Sequence, residues 1–142
     1  MFCINSRNGP PSADSRRSVR IYTDINIELK RVVVTLAGAV GLHDIHEIMS
    51  TSEKAQVTSF PALMDARQAH VRLSEEDLAQ IRGNLQSLTQ RFRVAPCAVV
   101  VCDSTSLANV EAAGLVFAGL VRVAGFLDKR EAECWLGWDT AG

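Results

Sequence analysis

The sequence predicts an α/β protein with a mixed, mostly parallel sheet of about five strands and about four helices. Three observations predict it. Segments with the two-residue period of strands alternate with segments of helical period, in the order strand, strand, helix, strand, helix, strand, helix, strand, helix. Cys97-Ala98-Val99-Val100-Val101-Cys102 is an unbroken apolar run, as befits a strand buried on both faces of a parallel sheet, and Asp103-Ser104-Thr105-Ser106 after it suits a helix start. Ser74-Glu75-Glu76-Asp77 and Asp128-Lys129-Arg130-Glu131 have capping-box form, and each opens an apolar stripe.

From Val19 to Leu29 the apolar residues Val19, Ile21, Ile25, Ile27 and Leu29 fall on odd positions, which predicts a strand with one dry face. Val32-Val33-Val34-Thr35-Leu36 predicts a second strand, and the charged interval from Glu28 to Arg31 a hairpin turn without a glycine to fix its type. Gly38-Ala39-Val40-Gly41 closes that strand. A short helix is expected from His43 to Thr51, with Asp44 and Glu47 toward the positive end of its dipole. After a polar linker, Phe60-Pro61-Ala62-Leu63-Met64-Asp65 reads as a third strand ending at Asp65, with the proline where no ladder donor is lost.

The helix opened by Ser74 carries Leu78, Ile81, Leu85, Leu88 and Phe92 on one face and is expected to end near Arg93, before Pro96. The fourth strand follows. A helix from Leu107 to about Leu120 comes next, whose Ala113, Gly114, Ala118 and Gly119 permit close approach to a sheet. Val121 to Phe126 is the last strand, and the closing helix places Ala132, Trp135 and Leu136 inward before Gly137.

A chain of 142 residues can bury one hydrophobic core without disulfides or metals. Fifteen Lys and Arg against 16 Asp and Glu give a net charge of -1, so no overall field draws it to nucleic acid or an anionic membrane. Cys3, Cys97, Cys102 and Cys134 are widely spaced with no Cys-x-x-Cys pair, which favours reduced thiols and a cytoplasmic location. Residues 1–17 lack the apolar core of a signal peptide and read as a disordered lead-in, leaving residues 18–142 as one domain. Between Val110 and Leu127, Glu111 and Arg122 leave only Ala112 to Val121 uncharged, about half of the roughly 20 residues a membrane span needs.

The closing segment Phe126-Leu127-Asp128-Lys129-Arg130-Glu131-Ala132-Glu133-Cys134-Trp135-Leu136 resembles the Phe-x-Asp-x-x-x-Ala-x-x-Trp-Leu ending of SpoIIAA-like proteins, which belong with the STAS and SEC14-like folds. The likeness in element order covers about Val19 to Trp138. It implies a STAS/SEC14-like domain that binds a partner protein or a small apolar ligand and does no chemistry of its own. In antagonists of anti-sigma factors with this fold, a serine at the start of the helix after the third strand is phosphorylated. Ser74 matches that position here, but the Gly-Leu of the motif is absent and three acids follow, so a phosphate gains from the helix dipole and loses to adjacent like charge. Ser104, in Asp103-Ser104-Thr105-Ser106-Leu107, has a similar local composition one strand later, on a different element from the one that carries that role. A phosphorylation-controlled regulator of the antagonist kind, using Ser74 or Ser104, is the alternative the resemblance implies.

The candidate binding rim consists of two expected strand ends, Asp65 with Arg67 and Asp103 with Ser104, which converge if their strands are neighbours. Two carboxylates there could bind a cation or share a proton in a small enzyme, whereas the simpler role of each is to order the turn after its strand. His43 and His46 share one side of a helix but have no evident third ligand, so no metal is assigned, and the sequence points to no cofactor. Cys97 and Cys102 read as small core residues that cannot pair with each other along a strand. Trp135 and Trp138 read as a core plug and a rim aromatic, the second also a candidate homodimer contact. Gly-x-Ser-x-Gly, Gly-x-x-x-x-Gly-Lys, Gly-x-Gly-x-x-Gly and His-Glu-x-x-His signatures are all missing, which lowers the odds of catalysis.

Overall fold

The computed structural model describes residues 19–138, so the lead-in expected over residues 1–17 lies outside the described residues. The strands are β1 (Arg20–Asn26), β2 (Arg31–Val40), β3 (Ala62–Val71), β4 (Cys97–Val100) and β5 (Val123–Phe126). The helices are α1 (Leu42–Lys54), α2 (Glu75–Arg91), α3 (Ser104–Val116) and α4 (Lys129–Trp135). The sheet runs β1-β2-β3-β4-β5, with β1 antiparallel to β2 and the other pairs parallel. The fold is therefore the expected α/β arrangement, a mixed and mostly parallel sheet with four helices.

In β1 the odd residues Ile21, Thr23 and Ile25 are half-buried while the even ones are exposed. The dry face stops short of its expected end, because Ile27 and Leu29 sit in the hairpin turn and are largely exposed. With no glycine available, Lys30 takes the left-handed conformation at φ 56°, and the Asn26 side chain accepts from the Leu29 N–H at 3.0 Å. Asparagine at such a position fixes a turn through its own backbone bond.

Alternation along β2 divides the core. Val32, Val34 and Leu36 point to one side, where Ala66, Ala69, Val99 and Val101 join them and Leu107 and Val110 of α3 pack on them. Val33 points to the other, where Leu63, Ala98 and Val100 meet Ala132 of α4 and Trp138. Helix α2 packs along α1 and α3 through Ile81 and Leu85, which meet Ile45, Met49, Ala113 and Phe117. Polar ties fasten it on both flanks: Arg91 pairs with Glu53 at 2.8 Å, and Arg82 donates to the Val116 carbonyl at 2.7 Å.

Two expectations about side chains are corrected here. Trp138 is the plug, 8% exposed with the Arg31 guanidinium over its ring, while Trp135 is only half-buried and carries Arg122 on its face. The helix expected to reach Leu120 ends at Val116, and Gly119 at φ 91° turns the chain toward β5. Among the described residues no helix is long and apolar enough to cross a membrane.

Candidate functional site

Strand β3 does not end at Asp65. It continues through Ala66-Arg67-Gln68-Ala69-His70 to Val71, still paired with β2. What made this stretch look like a loop is a bulge. Thr35 faces Asp65 and Ala37 faces Gln68, so Ala66 and Arg67 together oppose the single residue Leu36. Ala66 turns into the core, and the alternation resumes with Ala69 buried and His70 exposed.

A bulge leaves a backbone donor without its ladder partner, and here Asp65 accepts it. The Arg67 N–H donates to Asp65 Oδ1 at 3.2 Å, while Arg67 Nε and Nη2 donate to Oδ1 and Oδ2 at 2.9 and 2.7 Å. This fork on both carboxylate oxygens is the stronger, geometrically specific kind of ion pair. The Arg67 side-chain hydrogen bonds hold the Asp65 carboxyl below its ordinary pKa against the opposing effect of burial, and Lys129 adds a smaller attraction.

Because the folded pKa is depressed, the stabilisation from Asp65 is full above the unfolded carboxylate value of about 3.9 and is lost as pH falls through the lower folded value. Thermal unfolding of Asp65→Asn should therefore show a deficit against the unsubstituted chain at pH 7 that shrinks in the acid range. A deficit independent of pH would show that the carboxylate charge does not matter.

The register sets a row of residues across the sheet: Tyr22 beside Thr35, Thr35 beside Asp65, and Asp65 beside Val100. At Val100 the row is covered, because the seven-residue α4, with Trp138, packs over β4, β5 and Leu63 of β3. On β1, and on β2 and β3 beyond Val33 and Leu63, the same face stays open among the described residues. Tyr22 is 67% exposed, and Thr35, Arg67, Gln68 and His70 are exposed around it.

Asp103 and Ser104 sit elsewhere. Asp103 is the N-cap of α3, accepting from the Ser106 N–H at 2.8 Å, and that bond keeps its pKa below the ordinary value. Ser104 is the first residue of α3 and exposed. Asp65 shares its side of the sheet with Leu63 and α4, whereas α3 packs on the other side, so the two carboxylates hydrogen-bond to different partners.

Ser74 is the exposed N-cap of α2. Its hydroxyl accepts from the Asp77 N–H at 3.0 Å while Asp77 accepts from the Ser74 N–H. Such a cap contributes on the order of 1 kcal/mol to helix stability. A phosphate there would displace the box and face Glu75, Glu76 and Asp77.

His46 Nε2 is 2.7 Å from the Asn84 amide nitrogen, which uses the imidazole to join α1 to α2. No cluster of three or more His, Cys, Asp or Glu side chains suited to a metal occurs among the described residues. Cys97 packs beside the core and burial pushes its thiol up to about 12, which leaves it protonated and unreactive.

The space beneath α3 is filled by direct contact, since a Cβ on Gly125 would stand 2.8 Å from Leu107 and one on Gly114 would stand 2.6 Å from the Val123 carbonyl oxygen. A groove of about 450 Å³ lies instead at the opposite end of the strands, lined by Pro61, Val94, Pro96, Leu120, Arg93 and Arg122 among others. The sequence reading missed this groove, and the only signal for it was Pro96 with Arg93 and Arg122 flanking β4 and β5.

These features define a small α/β unit with three helices on one side of the sheet and the other side half open. Comparison with solved structures agrees. The chain is similar to an uncharacterised DUF3478-family protein with a SpoIIAA-like fold from Shewanella loihica, at 18% identity and a TM-score of 0.56, over 83% of this chain and 93% of that one. The fold is thus SpoIIAA-like. No family model matches the sequence, and no curated protein is significantly similar to it.

Proposed function

We propose that this domain acts by binding a partner protein on the open sheet face, with Tyr22 as its aromatic contact and the Asp65–Arg67 pair as its polar anchor. The observation that carries this reading is the row Tyr22, Thr35, Asp65, set in register just beyond the part of the sheet that α4 covers, on a face that no other helix covers among the described residues. Exposed tyrosine and arginine are residue types enriched where proteins meet, and Asp65 preorganises the guanidinium so that less entropy is lost on contact. Acid and base alternate across the patch, in Arg20, Asp24, Asp65, Arg67 and His70, a mixture suited to a protein surface and unsuited to a polyanion. Free thiols at Cys97, Cys102 and Cys134 suit the reducing cytoplasm.

The test is quantitative affinity purification from the protein's own cells with the unsubstituted chain, Tyr22→Ala and Arg67→Ala. A shared set of proteins should be retained by the first and depleted at least about tenfold by both variants, as loss of a central interface residue implies. Equal retention by all three would reject the open face as the binding surface.

A second reading, a small ligand, is favoured by the groove at Pro61, Val94, Pro96 and Leu120 with its two arginines. It predicts that native mass spectrometry of the freshly purified chain finds a bound organic acid that Arg93→Ala releases. An unliganded mass would count against it.

A further inference from the structure

We infer that β5 and the flank of α3 above it form the contact between two copies of this chain, a surface separate from the open face of β1 to β3. The outer edge of β5 is the first observation. The Arg122 and Phe126 carbonyls accept from β4, through the Cys97 and Val101 N–H groups, so the backbone groups of Val123, Gly125 and Leu127 point away from the sheet. Such an edge is a template for another strand, and proteins that stay apart blunt it with charge, proline or a bulge. Edge strand β1 carries Arg20 and Asp24, whereas Val123-Ala124-Gly125-Phe126 has none of these devices.

The second observation is α3. Leu107, Val110, Ala113, Gly114, Leu115 and Val116 make it strongly apolar, yet none of its 13 residues is fully buried in one copy. Leu107, Val110 and Gly114 lie against β5, while Ala113 and Val116 face α2. Helical geometry then puts Ala108 and Leu115 on the flank away from α2, over the edge of β5 that no strand pairs among the described residues. Leu115 is 79% exposed and Leu127, just past the strand, 51%. Glu111 is the one charge on that flank.

Two β5 strands pair antiparallel about a two-fold axis at Gly125, the register in which outward-facing backbone groups meet. This places Val123 against the partner's Leu127 and Arg122 against the partner's Asp128, so opposite charges flank an apolar centre at both ends. Asp128 uses Oδ1 for the Arg130 N–H, leaving Oδ2, and Arg122 has no carboxylate in ion-pair range among the described residues. The two α3 helices run side by side over the joined sheet with Leu115 between them.

Sedimentation of the full chain over a range of concentrations tests this, combined with amide exchange. The expected result is a reversible rise toward twice the 15.5 kDa chain mass, with the Gly125 amide protected as the dimer forms. Leu115→Glu and Leu127→Lys, both at exposed positions, should each weaken association by at least about tenfold with unchanged circular dichroism. A chain that stays monomeric at millimolar concentration would overturn the inference. So would a dimer that neither substitution weakens. Neither result bears on the open face, whose test is partner retention by Tyr22→Ala.

Discussion

Leu63→Ala should destabilise the domain by about 2–5 kcal/mol, the range for removing a fully buried leucine from a core that cannot close over the gap. Leu63 has no exposed surface and stands in the middle strand, walled by Ala98, Val100, Ala132 and Trp138. Its neighbours are held from two sides, by the ladder of β3 and by α4, so collapse into the cavity is restricted. Urea unfolding should show a lower midpoint with an unchanged slope, since the surface exposed on unfolding hardly alters. A loss below about 1 kcal/mol would mean that α4 is loosely seated and moves to fill the space.

The second large effect is a reversal of sign between two glycines in helices. Gly114→Ala should cost about 1–3 kcal/mol, although alanine is the better helix former by about 1 kcal/mol. The added methyl would lie 2.6 Å from the Val123 carbonyl oxygen, a backbone atom that moves only if β5 shifts on β4. Gly83→Ala, in the exposed interior of α2 with nothing within 4 Å of the new Cβ, should instead stabilise by about 0.5–1 kcal/mol. Thermal unfolding of both variants decides the matter, and the close contact of α3 with β5 is wrong if Gly114→Ala is as stabilising as Gly83→Ala.

Much of the fold was legible because its strands and caps obey their local rules. The odd-residue period of β1, the apolar run of β4 and the box at Ser74 each placed an element, and Gly114 marked the close helix-to-sheet contact. Asp128 caps the last helix through the Arg130 N–H and not through the expected box with Glu131. Strand β3 was misread at its carboxyl end for a physical reason. An uncovered sheet face tolerates Gln68 and His70 within a strand, and the extra residue at Ala66-Arg67 breaks the alternation that identifies one. The two halves of the candidate rim differed in how far the sequence placed them. Asp65 with Arg67 was visible as a pair two residues apart, but which side of the sheet it occupies depends on Leu63, and Asp103 opens a helix on the other side. Trp138 gave no local hint of burial, because its environment comes from Arg31 and from strands distant in the chain.

The bulge in β3 bears also on chain length. If position 67 were absent, Asp65, Ala66, Gln68 and Ala69 would alternate outward and inward against Thr35, Leu36, Ala37 and Gly38 as an unbroken ladder. The hydrogen-bonded architecture has no use for that residue. A chain one residue shorter here would be expected to keep its core and its helices, and would forfeit an exposed guanidinium held by a carboxylate.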